Sequence, residues 1–349
     1  MAKVTIATKS RLKFYLMNRR ELIKQLGVFG FAYTLPGSLS LFAQYNSSMD
    51  TKEFEVIIVG GSYAGLSAAM SLGRSLRETL IIDAGKPCNR QTPHSHNFLT
   101  QDGSTPKEIA EIAKNQLAIY DSIKFYNGLA VSGKKIKKGF EITTSNGDVF
   151  TAKKLVFASG IKDIIPDIPG FSQCWGISVV HCPYCHGYEI RNKKTAIIAN
   201  GERAFHLASL VKNLTKEITI ITSGTKEFKE NQLDTLKQYN IKIVEKEITR
   251  LEHKNGQLET IVFKDGSKEN YECAYASIPF EQNSSIPKQL GCAFTEHGHI
   301  EVNSMQKTTE EGVFACGDNS TLMRSVAIAV SGGNISGAVV NNELTQEFF

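Results

Sequence analysis

Two cysteines stand three residues apart, Cys182 and Cys185, with a histidine on either side, His181 and His186. A Cys-x-x-Cys pair can close into a small reversible disulfide, and its surroundings can lower the thiolate pKa of one member. Such a thiolate attacks a partner disulfide to form a mixed disulfide, which the second cysteine resolves. Imidazoles titrate near neutrality, so His186 is placed to move protons and His181 to stabilise the Cys182 thiolate. Zinc is the competing reading of two Cys and two His. Six residues are too short to fold four ligands around one tetrahedral ion, and the chain has no second Cys-x-x-Cys. The other five cysteines, Cys88, Cys174, Cys273, Cys292 and Cys316, are scattered singly, which argues against a structural disulfide framework.

The pair needs something to exchange electrons with, and the segment from Phe54 supplies a candidate. Glu55–Val59 is a β-branched run expected to form a strand buried on both faces. Gly60, Gly61 and Gly65 then make a tight turn into an apolar-periodic helix expected over 66–76. A second strand over 79–82 ends at Asp83. Strand, glycine turn, helix, strand and acid form the dinucleotide-binding fingerprint, with Ser62 in place of its middle glycine. The glycines let the backbone approach a pyrophosphate at the helix N-terminus, and Asp83 is placed to accept ribose hydroxyls. Leu155–Gly160 and Gly312–Asp318 are two further apolar strands ending in turns, the second followed by the small-residue run 325–340.

Around the cysteines the chain reads GISVVHCPYCHGYEIRNKKTAIIANG. With the three turn signatures in order, it resembles the low-molecular-weight thioredoxin reductases, over about Phe54 to Val340. The nearer resemblance is to their branch with a Cys-Pro-x-Cys-His-Gly-Tyr-Glu motif, which includes flavin-dependent dithiol oxidases. The resemblance implies an α/β fold of two Rossmann-like three-layer domains, the FAD domain discontinuous (52–166 and 296–349) and a pyridine-nucleotide-type domain inserted at 167–295. It implies FAD held by Gly60, Gly61, Ser62, Gly65, Asp83, Gly160, Gly317 and Asp318. Cys185 is then the flavin-side thiol and Cys182 the partner-side thiol. His186 stands where thioredoxin reductases carry an acid-base Asp. The stretch 94–99, before Asp102-Gly103, is similar to a segment that borders the flavin, which makes His96 a candidate second proton carrier. Tyr188 and Glu189 are expected to shape the turn. The partner is a small dithiol or a thioredoxin-like protein, and a homodimer is implied.

The second nucleotide unit departs from the family pattern. A strand over 195–199, a turn over 200–204, a helix over 205–214 and a strand over 217–222 make the unit expected for NADPH. Yet Ala199 replaces the first glycine of the turn, and Ile221–Gly224 replaces the basic cluster that grips a 2′-phosphate. Ser277–Phe280 departs from the family's Pro-Asn-Thr region, of which Asn283 remains. NADPH binding is therefore doubtful. Three functions follow: electron flow from a pyridine nucleotide through FAD to a disulfide, the reverse flow from a dithiol through FAD to oxygen, or a flavin redox sensor.

Residues 1–48 carry seven Lys or Arg and one acid, while the remainder holds 33 basic and 34 acidic residues. The near-neutral body gives no nucleic-acid-binding signature. Arg19-Arg20, the following Glu-Leu-Ile-Lys and a mostly apolar run to Ala43 resemble a twin-arginine export signal, and the gly- and pro-interrupted run argues against a permanent span. Export to the periplasm is the expectation; a start at Met49 leaves the protein cytoplasmic.

Overall fold

Val56, Ile57 and Ile58 have no polar break between them, and none is exposed to solvent. They form the centre of β1 (Lys52–Val59) in the computed structural model, which describes residues 52–349. Alternation along the strand divides the core. Val56 and Ile58 pack with Leu72, Phe314 and Val340 on one face, and Ile57 and Val59 with Phe157, Ile286 and Leu290 on the other. Each such burial contributes about 1.5–3 kcal/mol.

The chain continues through α1 (Tyr63–Arg74), β2 (Thr79–Asp83), α2 (Pro106–Leu117), β3 (Ile123–Asn127), β4 (Ala130–Ile136), β5 (Gly139–Thr144) and β6 (Val149–Phe157). β3, β2, β1 and β6 lie side by side and parallel. β6 is the branch point of this seven-stranded sheet. Its first half pairs antiparallel with β5, and its last three residues pair parallel with Val313–Ala315.

After β6 the chain crosses through β7 (Ile161–Asp163), α3 (Phe171–Cys174), β8 (Val179–Val180) and α4 (Pro183–His186). Next come β9 (Thr195–Ile198), α5 (Gly201–Val211), β10 (Ile218–Ile221), α6 (Glu230–Gln238) and β11 (Lys242–Val244). A three-stranded antiparallel sheet, β12 (Ile248–Lys254), β13 (Gln257–Phe263) and β14 (Lys268–Asn270), precedes β15 (Cys273–Ala276). β11, β10, β9, β15 and β8 form a second, all-parallel sheet. β16 (Phe280–Gln282) returns antiparallel to β7, so the two crossovers run together. α7 (Ile286–Leu290), β17 (Val313–Ala315) and α8 (Val326–Gln346) complete the first sheet and cover it.

Two parallel sheets with helical crossovers bear out the expected Rossmann-like α/β fold, and the details correct three boundaries. α1 begins at Tyr63 rather than 66 and ends before Leu76, which has φ 55° and is 80 % exposed. α5 begins at Gly201 rather than 205, because the Asn200 side chain caps it there. Ile286, Leu290 and Cys292, grouped by sequence with the inserted segment 167–295, pack instead in the core of the first sheet. The exposed face of β4 and β5 needs cover, and α7 supplies it.

α8 lies against α1 at very short range. A Cβ on Gly333 would stand 2.1 Å from the Ala64 carbonyl oxygen, so only glycine permits the approach. The Ser67 hydroxyl then donates to the Val330 carbonyl at 2.7 Å. The twin-arginine-like leader lies outside the described residues.

Candidate functional site

β1, β2, β6 and β17 all point their C-terminal ends the same way, and a cleft opens there, as expected for ligand sites on parallel sheets. Gly60 has φ 108°, and a Cβ on it would meet the Ala158 carbonyl oxygen at 2.2 Å. A Cβ on Gly65 would stand 1.9 Å from the Gly60 carbonyl oxygen, and one on Gly61 would stand 2.8 Å from Asp83 Cβ. The turn can therefore pass close over the strand ends only with these residues. Ser62 is the N-cap of α1 in extended conformation, and its side chain makes no capping bond. The first-turn N–H groups thus face the cleft without a side-chain partner. Asp83, Gly160, Gly317 and Asp318 line the same cleft.

FAD fits these residues. An uncapped helix start suits a pyrophosphate, and the carboxylate at the end of β2 suits ribose hydroxyls. Among the described residues, Arg324 Nε is buried without a hydrogen-bond partner, 3.6 Å from Asp318 Oδ2. Burial raises the Asp318 carboxyl above its ordinary range, with Arg324 opposing.

Cys182 and Cys185 are joined by a disulfide, with Cα atoms 5.3 Å apart. Cys182 caps the short α4, its sulfur accepting from the Cys185 N–H at 3.2 Å, and Pro183 begins the turn. Cys185, His181 and His186 line the cleft, whereas Cys182 is not among its lining residues. Burial pushes the His186 imidazole below its ordinary value, with Glu189 pulling the other way. His181 is pushed down to about 3, by burial first and then by the charge of Arg324. With the disulfide closed it is held neutral, so no imidazolium stands beside Cys182 in this state. His96 Nδ1 lies 3.6 Å from both Asp102 Oδ2 and Glu189 Oε1, which joins it to the motif through Glu189.

Four residues that sequence reasoning did not place in the site also stand in the cleft wall. Arg324 clamps Asp163 with Nη1 at 2.9 Å from Oδ1 and Nη2 at 3.3 Å from Oδ2. The Trp175 indole N–H donates to Asp163 Oδ2 at 3.1 Å. Cys88 Sγ lies 3.7 Å from the same oxygen, and burial pushes its thiol up to about 11. Burial alone would raise the Asp163 carboxyl, but the Arg324 bonds and charge hold it below the usual range. One signal was available: Arg324 is a lone charge between an apolar pair and a small-residue run, six residues past Asp318.

The start of α5 is built differently. Asn200 Oδ1 accepts from the N–H groups of Gly201 at 2.8 Å and Glu227 at 3.0 Å, and Nδ2 donates to the Thr225 carbonyl at 2.9 Å. Glu202 occupies the first helical turn. Asn283 holds the crossover instead, donating to the Ser159 and Ile161 carbonyls.

Residues 54–333 match the family described as pyridine nucleotide-disulphide oxidoreductase. The chain belongs to that family. A thioredoxin reductase of Leptosphaeria maculans is 31 % identical over 310 residues, 82 % of this chain and 93 % of that one. One from Claviceps purpurea is 29 % identical over 304 residues, covering 83 % and 94 %. The crystal structure of an oxidoreductase from Agrobacterium tumefaciens is 34 % identical, with a TM-score of 0.79 over 84 % of this chain and 99 % of that one. As a member of the pyridine nucleotide-disulphide oxidoreductase family with this cleft, the protein is an FAD-dependent oxidoreductase.

Proposed function

We propose that Cys182–Cys185 passes electrons between bound FAD and a thiol or disulfide partner, with Cys185 on the flavin side and Cys182 on the partner side. One observation carries this reading: Cys185 lines the cleft that fits FAD and Cys182 does not. The relatives named thioredoxin reductase support it. Gly60, Gly61, Ser62, Gly65 and Asp83 hold the nucleotide half of the cofactor, and Gly160, Gly317 and Asp318 the remainder. Bound there, FAD supplies a two-electron donor and acceptor.

In the oxidising direction a partner thiolate attacks the Cys182 sulfur and releases Cys185 as a thiolate. The partner's second thiol closes its own disulfide and releases Cys182. Two electrons and two protons have then moved from partner to pair, and neutral His186 is the group that takes and returns a proton. The partner is a small dithiol or a thioredoxin-like protein.

The closed start of α5 favours a second, more specific form of this reading. Asn200 takes the Gly201 N–H, the first donor of the turn that would meet cofactor phosphates, and ties that turn to the 225–227 backbone, with Glu202 and Glu227 nearby. No arginine pair follows β10. The enzyme then runs as a nicotinamide-independent dithiol oxidase, with oxygen as the final acceptor and hydrogen peroxide as the product. Mixing the FAD-loaded protein anaerobically with NADPH, NADH or dithiothreitol tests both forms. Bleaching by the dithiol alone, with colour and peroxide returning in air, is the expected result. Bleaching by NADPH restores a reductase, and bleaching by none removes the pair's proposed role. A homodimer and export by the twin-arginine route complete the proposal, to be checked by light scattering and by fractionation of cells that express the Arg19→Lys, Arg20→Lys variant.

A further inference from the structure

Asp163 ends the first crossover strand, and three parts of the chain meet on its carboxylate. Arg324 approaches from the loop after Asp318, Cys88 from the loop after β2, and Trp175 from the inserted segment. Trp175 is the one tryptophan of the sequence. Its ring stacks on Phe171 at 5.9 Å and lies 6.0 Å from the His181 ring, next to Cys182. Its backbone bridges Val179, the first residue of β8, which leads directly into the redox motif. A rigid chain of contacts thus runs from the flavin-side loop through Asp163 and Trp175 to the cysteine pair.

We propose that Asp163, Arg324 and Trp175 form a latch that fixes Cys185 against the flavin side of the cleft. Asp163 and Trp175 are positioning residues: they act through His181 and β8 and take no part in thiol exchange. The geometry supports this more than a general stabilising role. Both terminal nitrogens of the forked guanidinium reach one carboxylate, whose Oδ2 also takes the indole N–H and lies against Cys88 Sγ, which fixes angle as well as distance. Both crossover strands, β7 and β16, are only three residues long. Asn283 and the Lys162–Glu281 pair brace these strands against each other, while the clamp and the indole tie them to the cleft wall and to the segment that carries the redox motif.

The inference rests on the reading that the pair exchanges electrons with FAD, so the test separates the two. Trp175→Phe keeps an aromatic ring and removes the indole donor with part of the buried ring volume; Asp163→Asn and Arg324→Met remove the clamp, and Arg324→Lys keeps charge without the fork. After anaerobic dithiothreitol, alkylation counts the reduced cysteines and the flavin band reports onward transfer. Thiol counts equal to the wild type, with bleaching slowed at least ten-fold in Trp175→Phe and Asp163→Asn, are expected. Arg324→Lys should recover part of the rate lost in Arg324→Met. Emission of the lone tryptophan should shift to the red in Asp163→Asn and Arg324→Met, and this needs no turnover. Unchanged bleaching and emission in Asp163→Asn would overturn the latch. So would thiol counts, bleaching and melting temperature falling together, which is a structural role. A wild type that does not bleach defeats the exchange reading, and the emission shift then decides the latch alone.

Discussion

Two helices of this chain start directly after a central parallel strand, α1 after β1 and α5 after β9, and their first turns are finished in opposite ways. At α1, Gly60, Gly61 and Ser62 leave the N–H groups without a side-chain cap and open to the cleft. At α5, Asn200 caps Gly201, holds the Glu227 N–H and reaches the Thr225 carbonyl. β2 ends on a carboxylate that lines the cleft, whereas the Thr222 hydroxyl after β10 donates back to the Gly224 carbonyl at 2.5 Å. The two units share strand order and hydrophobic packing, which is where their stability lies. Ligand competence lies in about four residues at each helix start, and those can change while the fold persists.

Filling the open turn should have the largest effect. A Gly61→Val branch would press on the Asp83 side chain, and overpacking of this kind costs about 1–3 kcal/mol. FAD affinity should fall by up to about a hundred-fold, as read by titration of the apoprotein. Gly201→Ala, placed against the Glu227 carbonyl oxygen at 3.1 Å, should leave FAD binding unchanged. Equal FAD loss in both variants would erase the distinction between the units.

Acid should also discriminate, because the open cleft is walled by a half-buried histidine. The folded state holds His181 neutral down to about 3, while the unfolded chain takes a proton below about 6.5. The unfolded state binds more protons in that window, so this contribution to stability is complete above about pH 6.5 and shrinks as pH falls. At pH 5 the loss is on the order of 2 kcal/mol. Removing the imidazole in His181→Phe should flatten the denaturation midpoint between pH 7 and 5. An unchanged pH slope would show that the residue titrates normally.

Asp83→Ala should weaken FAD by about ten-fold, the lower end of a charge-assisted hydrogen bond at about 1.5 kcal/mol. The same titration that measures the Gly61→Val variant checks it, and a change below two-fold would remove the carboxylate from the nucleotide site.

Much of the first unit was legible because its signals are local. Gly60, Gly61, Gly65 and Asp83 fall within one strand–turn–helix–strand unit, and the Cys182–Cys185 spacing is its own signature. The side-chain cap by Asn200 was not legible in detail, because its partner Glu227 lies in the loop after the next strand. α7 read as part of the inserted segment because five residues carry too short a period to show which sheet they cover. The Asp163–Arg324 clamp was invisible for a different reason. Its members stand 161 positions apart, and nothing near either residue implies the other.

The smallest effect belongs to the closed turn. Asn200→Ala removes a cap that serves both Gly201 and Glu227, and such losses cost about 1 kcal/mol. The midpoint of chemical denaturation should drop accordingly, with the slope unchanged. FAD content should stay at the wild-type level, since the cap is no part of the cleft. NADPH should still fail to bleach the flavin, because Glu202 remains in the first turn and no arginine follows β10. NADPH-dependent bleaching in this variant would mean that one side chain, and not the whole phosphate-binding apparatus, separates the second unit from a working nucleotide site.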